Sequence, residues 1–393
     1  MSVIAPDQLV GARSPIYLTA NYSSLASSLT DITLEIYVWS DGRSSRPSNP
    51  DYTLFRDVFA GTDVSFDIAP MVREEIGAVY DTSQSRAAPV GERDTNIVWV
   101  QVDYDINYYD KSDPPSVANA SGSTDIFPAS NGYHLFSEGT NFEFPSAYLN
   151  NTSTVYVKDE GFEMMPLFMG KYNNEDIESV IYQPDSTNYE FDITGYHADV
   201  QPEDRILRIP IGELSLNNWL TSDGYTGSSS ERPINIDKWV LQLATSTTIY
   251  DTITVIKECE PKYTINTIQY INRYGTWDFI HFYKASQDNF SVTSERFRKS
   301  IGTSSSSGFT YDTTDNIYQQ FNTNGKVTTT LNTGWVTEDY REAIKDLMMS
   351  EKILLNGLPV NVVTNSVTLQ KSINDRTINY TIEVEEAHDT RYV

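Results

Sequence analysis

The stretch "ECEPKYTINTIQYINRYGTWDFIHFYK", Glu258 to Lys284, decides the fold. It reads as two apolar strands joined by a turn at Arg273, Tyr274, Gly275 and Thr276. Strand side chains alternate between faces. Trp277, Phe279, His281 and Tyr283 therefore share one face, and Ile280 and Phe282 the other. An antiparallel sheet with one face in water carries polar residues there. This hairpin has no water side, so both flanks need cover.

Downstream, "NFSVTSERFRKSI" reads as a strand, "GTSSSSG" as a flexible loop, and Asn324-Gly325 as a hairpin turn. The clearest helical pattern is "TEDYREAIKDLMMSEKILL". Thr337 is placed to cap it, and Glu338 and Asp339 suit the positive end of its dipole. Tyr340, Ile344, Leu347, Met348 and Leu355 form its apolar stripe. "VNVVTNSVTLQ" and "TINYTIEVEEA" close the region as a strand pair.

Upstream, "STVYVKDEGFEMMPLFMG", "DRILRIPIGEL" and "DKWVLQLATSTTIYDTITVIKE" give short strands between turns, with Met164, Met165 and Met169 read as core. Nearer the N-terminus, Ile32, Leu34, Ile36 and Val38 alternate with Thr33, Glu35, Tyr37 and Trp39. "DVSFDIAPMVREEIGAVY" passes from a strand into a short helix, with Pro70 in its first turn and Gly77 at its end. "TNIVWVQVDYDINYY" is the strongest strand of this half. A polar segment from Asp110 to about Asn131 reads as a long loop or arm.

The fold class expected is mainly β: two or three antiparallel β-sandwich-like domains, with one α-helix packed on the last. The divisions are residues 1–131 with the polar loop 110–131, residues 132–254, and residues 255–393 with a helix over 337–355.

The 393 residues carry a formal net charge of -26, concentrated in the first two thirds. Such acidity favours solubility and opposes stable nucleic-acid binding, which needs Lys and Arg on phosphates. It is compatible with a conduit whose walls do not grip passing DNA. Cys259 is the single cysteine, so no disulfide framework or thiolate metal cage is expected. It reads as a small buried or half-buried thiol beside Glu258 and Glu260. The first residues do not read as a secretory signal, and no apolar run spans a bilayer.

The four histidines, His134, His197, His281 and His388, lack metal-motif spacing. There is no P-loop, dinucleotide fingerprint or nucleophile elbow. Acidic groups in "DTTDN" and "DYDINYYD" could hold Ca²⁺ but lack the rest of an EF-hand and read as solvated strand edges. No cofactor and no enzymatic activity are expected. A carboxylate pair in a groove would be needed for a polysaccharide hydrolase. Tyr104, Tyr108 and Tyr109 are candidate binding aromatics, for sugar rings or as interface anchors. Trp99, Trp239 and Trp277 read as interior.

"CEPKYTINTIQYINRYGTWDFIHFYK", "LNTGWVTEDYREAIKDLMMSEKILL" and "VTLQKSINDRTINYTIEVEEAHD" resemble the C-terminal half of structural proteins of tailed bacteriophages, nearest to those of phages of marine and Bacteroidota hosts. "VSFDIAPMVREEI" and "NGYHLFSEG" resemble their N-terminal and middle segments. The resemblance implies a virion tail component, in a ring, baseplate or adaptor layer, assembled in the host cytoplasm. It implies copies in a ring of about three-, six- or twelve-fold order, contacts with other tail proteins, and transient DNA passage. It carries over no catalytic residue. In such a ring, Trp277, Phe279, Ile280, His281, Phe282 and Tyr283 would be covered on one flank by a neighbouring subunit. The alternative for the flanks is a central hairpin buried within one chain. The alternative for function is a host-receptor or carbohydrate-binding protein at the tail tip.

Overall fold

The computed structural model describes residues 2–6, 8–21, 28–40, 43–57, 64–78, 80, 90–91, 96–110, 116–142, 147–168, 177, 179–183, 189–193, 206–216, 237–244, 248–259, 262–369 and 377–391. The chain is mainly β, with several antiparallel sheets and few helices.

In the N-terminal region two sheets share one core. The larger runs Val10–Gly11, Phe127–Ser130, Ile97–Asp110, Ser28–Trp39, Tyr52–Asp57, and Ser116–Ser123 also pairs with Ile97–Asp110. The smaller joins Ser2–Ile4, Tyr17–Asn21 and Val64–Asp67. Ile32, Leu34 and Ile36 alternate inward and meet Val98, Val100, Val102, Leu18 and Phe66. Val72 of the Ala69–Glu75 helix joins them.

The expected 110–131 loop is corrected. Ser116–Ser123 is a strand antiparallel to Asp103–Asp110, and Phe127–Ser130 is a buried strand. "SVANASGS" has low strand propensity, but pairing with a long neighbour overrides it. Gly122 lies under the Tyr104 ring, where a Cβ would come to 2.7 Å from Cζ.

The middle region has a sheet ordered Thr154–Lys158, Ile249–Glu258, Lys238–Ala244, Ser179–Gln183, Tyr189–Asp192, whose first pair is parallel. A second sheet joins Met164–Phe168, Ile206–Pro210 and Val90–Gly91, so a strand from upstream completes it. Trp239, Leu241, Val255, Phe191 and Leu207 lie in the shared core. Met164 and Met165 are buried, while Met169 lies outside the described residues.

The C-terminal region is a seven-stranded sheet ordered Trp277–Phe282, Asn266–Ile271, Ile353–Leu355, Leu358–Val362, Thr377–Glu386, Tyr318–Thr337, Gln287–Arg298. The expected 337–355 helix is shorter: a 3₁₀ turn Glu338–Tyr340, then an α-helix Arg341–Met349. Ile353–Leu355 is instead a strand, because it bridges Ile268–Tyr270 and Leu358–Val360. Thr337 makes no side-chain cap; its hydroxyl donates to Asp339. Tyr340, Ile344 and Leu347 pack on the sheet as the stripe requires.

Asn324-Gly325 is not a turn. Both residues lie inside the Tyr318–Thr337 strand, opposite Thr293 and Val292. The Phe290 ring lies over Gly325, where a Cβ would come to 2.6 Å from its Cε2. The reversal occurs in "GTSSSSG", where Thr303–Ser305 and Gly308–Thr310 pair as a tip hairpin.

The Asn266–Phe282 hairpin is the keystone. Ile268, Tyr270, Ile280 and Phe282 enter the C-terminal core, and Tyr283 turns into it beyond the strand end. Phe279 packs on the middle core. Fully burying such a side chain stabilises by about 1.5–3 kcal/mol. Its turn is gripped from elsewhere. Tyr133 N–H donates to Arg273 O at 2.7 Å, and Ser130 Oγ to Tyr274 O at 2.6 Å. Asn272 organises the interior: its Oδ1 accepts from Tyr274 N–H at 3.0 Å, and its amide donates to Leu149 O at 2.8 Å. Arg273 Nη2 pairs with Glu138 Oε2 at 2.6 Å. From the helix, Asp346 accepts from Tyr133 Oη at 3.2 Å and Asn151 Nδ2 at 2.7 Å.

Candidate functional site

The six candidate interface residues are corrected. Trp277, Ile280, His281, Phe282 and Tyr283 are buried within one chain, and Phe279 is half-buried. Both flanks are apolar because the hairpin lies between the middle and C-terminal cores. Trp99 and Trp239 are interior as expected. Tyr104 is half-buried against the N-terminal core and covers Gly122. Tyr108 and Tyr109 lie in a strand, but their side chains fall outside the described residues. Cys259 is exposed, and its thiol is pushed up by desolvation and by Asp159. Asp312 caps a local turn, accepting from Thr314 N–H at 2.9 Å, which lowers its pKa.

Two places remain as sites. The first is a cavity of about 320 Å³ between the middle and C-terminal regions, lined by Lys158, Glu163, Arg208, Gln269, Asp278 and His281 among others. His281 Nε2 meets Glu163 Oε1 at 2.9 Å, and Nδ1 meets Thr267 Oγ1 at 2.8 Å. Hydroxyl, imidazole and carboxylate thus stand in the order of an activated nucleophile. The surroundings differ from those of a working one. Thr267 N–H, which could face a developing oxyanion, donates to Asn356 Oδ1 at 2.9 Å. Glu163 Oε2 and Gln269 Oε1 are buried without hydrogen-bond partners and closed to solvent. Asp278 is fully buried, and desolvation pushes its carboxyl up to about 6. Among the described residues no three His, Cys, Asp or Glu come together to hold a metal.

The second is a two-stranded ribbon. Gln287–Arg298 is the outer strand of the seven-stranded sheet, and every residue of it is exposed. Its partner Tyr318–Thr337 is exposed over its first five residues. With the tip hairpin they carry large apolar side chains into solvent: Phe290 is 58% exposed, Phe297 45%, Phe309 62% and Tyr318 56%. A bulge between Thr293 and Glu295 resets the faces. Beyond it, Phe297 and Phe321 meet on one face with ring centroids 5.6 Å apart. On the other, the Arg296 guanidinium lies 5.4 Å from the Tyr318 ring centroid, with Arg298 two residues on. The sequence shows the outer strand, but its Asn324-Gly325 turn signal divides the partner strand, and nothing in it shows that the pair projects from the body. The signal available was the density of aromatics in an otherwise polar stretch, and that does not reveal which side is covered.

No family model matches the chain, and no curated protein matches it. Among solved structures, one described as "Ca2+-stabilized adhesin helps an Antarctic bacterium reach out and bind ice" aligns over 84% of this chain and 69% of its own, at 8% identity and a TM-score of 0.17. At that score the two share no demonstrable fold. Among the described residues no helix is long and apolar enough to cross a membrane.

Proposed function

We propose that this chain is a non-enzymatic structural subunit that assembles with copies of itself, as part of a tailed-bacteriophage tail layer. The observation that carries the reading is the ribbon. A long, exposed edge strand with aromatic side chains is a template for pairing and an aggregation hazard when left bare. Charges and a bulge blunt part of this edge, and cover by another chain would remove the rest of the hazard. The core hairpin no longer supplies the assembly surface; the ribbon takes that role. The sequence resemblance to tail structural proteins supports the setting, and the acidic charge suits a layer through which DNA slides.

Light scattering and sedimentation of the full chain test this. The expected result is a discrete oligomer that Phe297→Ser with Phe321→Ser converts to folded monomer. A full chain that stays monomeric at about millimolar concentration, where even weak interfaces associate, overturns the reading. In virions, the chain should occupy a symmetric layer around the tail axis.

A further inference from the structure

We infer that the cationic face of the ribbon docks on the acidic outer face of the N-terminal sheet in a second copy. This rests on the assembly reading and names its partner surface. That outer face is set by register. Ile32, Leu34 and Ile36 point into the core, so Asp31, Thr33 and Glu35 point out. Asp31 lies directly opposite Asp57, and Glu35 opposite Asp103, with Asp105 opposite Thr33. Five carboxylates thus share one sheet face, and like charges directly across strands destabilise. Arg46 pairs with Asp103. Asn107 donates to Asp31 at 2.8 Å, and Asn119 donates to Asp105. Glu35 and Asp57 remain exposed. In their midst Phe55 is 63% exposed, opposite Thr33.

The ribbon presents the complement. Arg296 and Arg298 repeat every second residue, about 7 Å apart, and Glu35 and Asp57 are the exposed carboxylates of the acidic face that they would meet. Tyr318 and Phe55 are the exposed apolar groups beside them. No carboxylate among the described residues pairs with Arg296, Arg298 or Lys299. Residues 287–326 hold four basic and four acidic side chains, so the whole charge of -26 sits on the rest of the chain. Among the described residues no hydrogen bond or ion pair joins the ribbon to this face of its own chain, so a meeting of the two surfaces takes a second copy. Two different patches meeting make a head-to-tail contact, which closes into a ring or extends as a filament.

Sedimentation of the 393-residue chain at 50 and 500 mM NaCl tests this. Self-association should weaken at least about ten-fold at the higher salt. Arg296→Glu with Arg298→Glu should abolish it, as should Glu35→Lys with Asp57→Lys, both remaining folded by circular dichroism. Mixing the two variants should restore assembly, since each reversed surface then meets its complement. Single variants that assemble normally overturn this docking. If they do so while Phe297→Ser with Phe321→Ser still gives monomer, the assembly reading stands without it. A labelled oligonucleotide bound by the parent and lost on Arg296→Glu with Arg298→Glu, at unchanged oligomeric state, also overturns it.

Discussion

The backbones of Gly132 and Gly275 lie in direct contact, with no room for a side chain between them. Gly275 sits at φ +78 in the hairpin turn, and a Cβ on Gly132 would come to 2.6 Å from Arg273 O. Gly11 stacks on the other side of Gly132. Three segments distant in sequence thus meet at closely packed glycine backbone, beside the Ser130 and Tyr133 hydrogen bonds to the turn, and the N-terminal region is fastened to the hairpin there. Gly275→Ala forces both strain at positive φ and separation of the two chains. A loss of about 1–3 kcal/mol is expected in denaturant unfolding, with Gly132→Ala close behind. A neutral Gly275→Ala would mean that the junction is loosely joined.

Two buried carboxylates at this junction predict a pH dependence. Burial pushes Asp278 and Asp346 each up to about 6, against the 3.8 ordinary for an aspartate. Between pH 4 and 6 the folded state therefore binds more protons than the unfolded one, and these groups lower stability as pH rises. Their contribution is complete below about pH 4 and lost as pH passes about 6. Each accounts for a slope of up to about 1.4 kcal/mol per pH unit. Other carboxylates contribute the opposite slope, so the readout is a difference. Asp278→Asn should lose stability less steeply than the parent between pH 4 and 6 in urea titrations. Parallel curves would show that the carboxyl stays ionised through folding.

The layered β architecture was legible because Ile32, Leu34 and Ile36 alternate cleanly against a polar face, and period two is all a half-buried strand needs. Glu258–Lys284 was legible as a two-sided hairpin but not as to what covers it, since burial between two cores and burial at an interface select the same side chains. Asn324-Gly325 misled for a related reason. Its turn signal is local, whereas pairing with Val292 and Thr293 on the neighbouring strand keeps it extended. Ser116–Ser123 was invisible because its partner, not its composition, makes it a strand. Glu163 and His281 are 118 residues apart, and no pattern of spacing announces the pair.

That pair gives a third prediction. Glu163 O accepts from Ile211 N–H at 2.9 Å and Gly212 N–H at 3.0 Å, which fixes its backbone. Its carboxylate is packed over Gly161, with one oxygen on His281. Removing one partner leaves a buried polar group unmatched, which costs about 1–3 kcal/mol. Glu163→Ala and His281→Ala should each destabilise by that order, and the double variant by less than their sum. Additivity in the double-mutant cycle would show that the contact contributes no coupling.

The ribbon should behave oppositely to the junction. Residues that remain exposed in the folded chain contribute little to its stability, and substitutions there usually move it by no more than about 0.5 kcal/mol. Replacing 299–317 by a two-residue Asn-Gly turn should therefore leave the unfolding midpoint of the body nearly unchanged. Amide exchange gives a second readout. An outer strand directs alternate N–H groups to its single neighbour and the rest to solvent. Gln287–Arg298 should then exchange fast at alternate positions in dilute monomer. Below the proposed association threshold the pattern should match in parent and Phe297→Ser with Phe321→Ser; above it, only the parent should slow. Uniform protection in the monomer would mean that the strand is already covered by its own chain, and the ribbon would lose its claim to be an assembly surface.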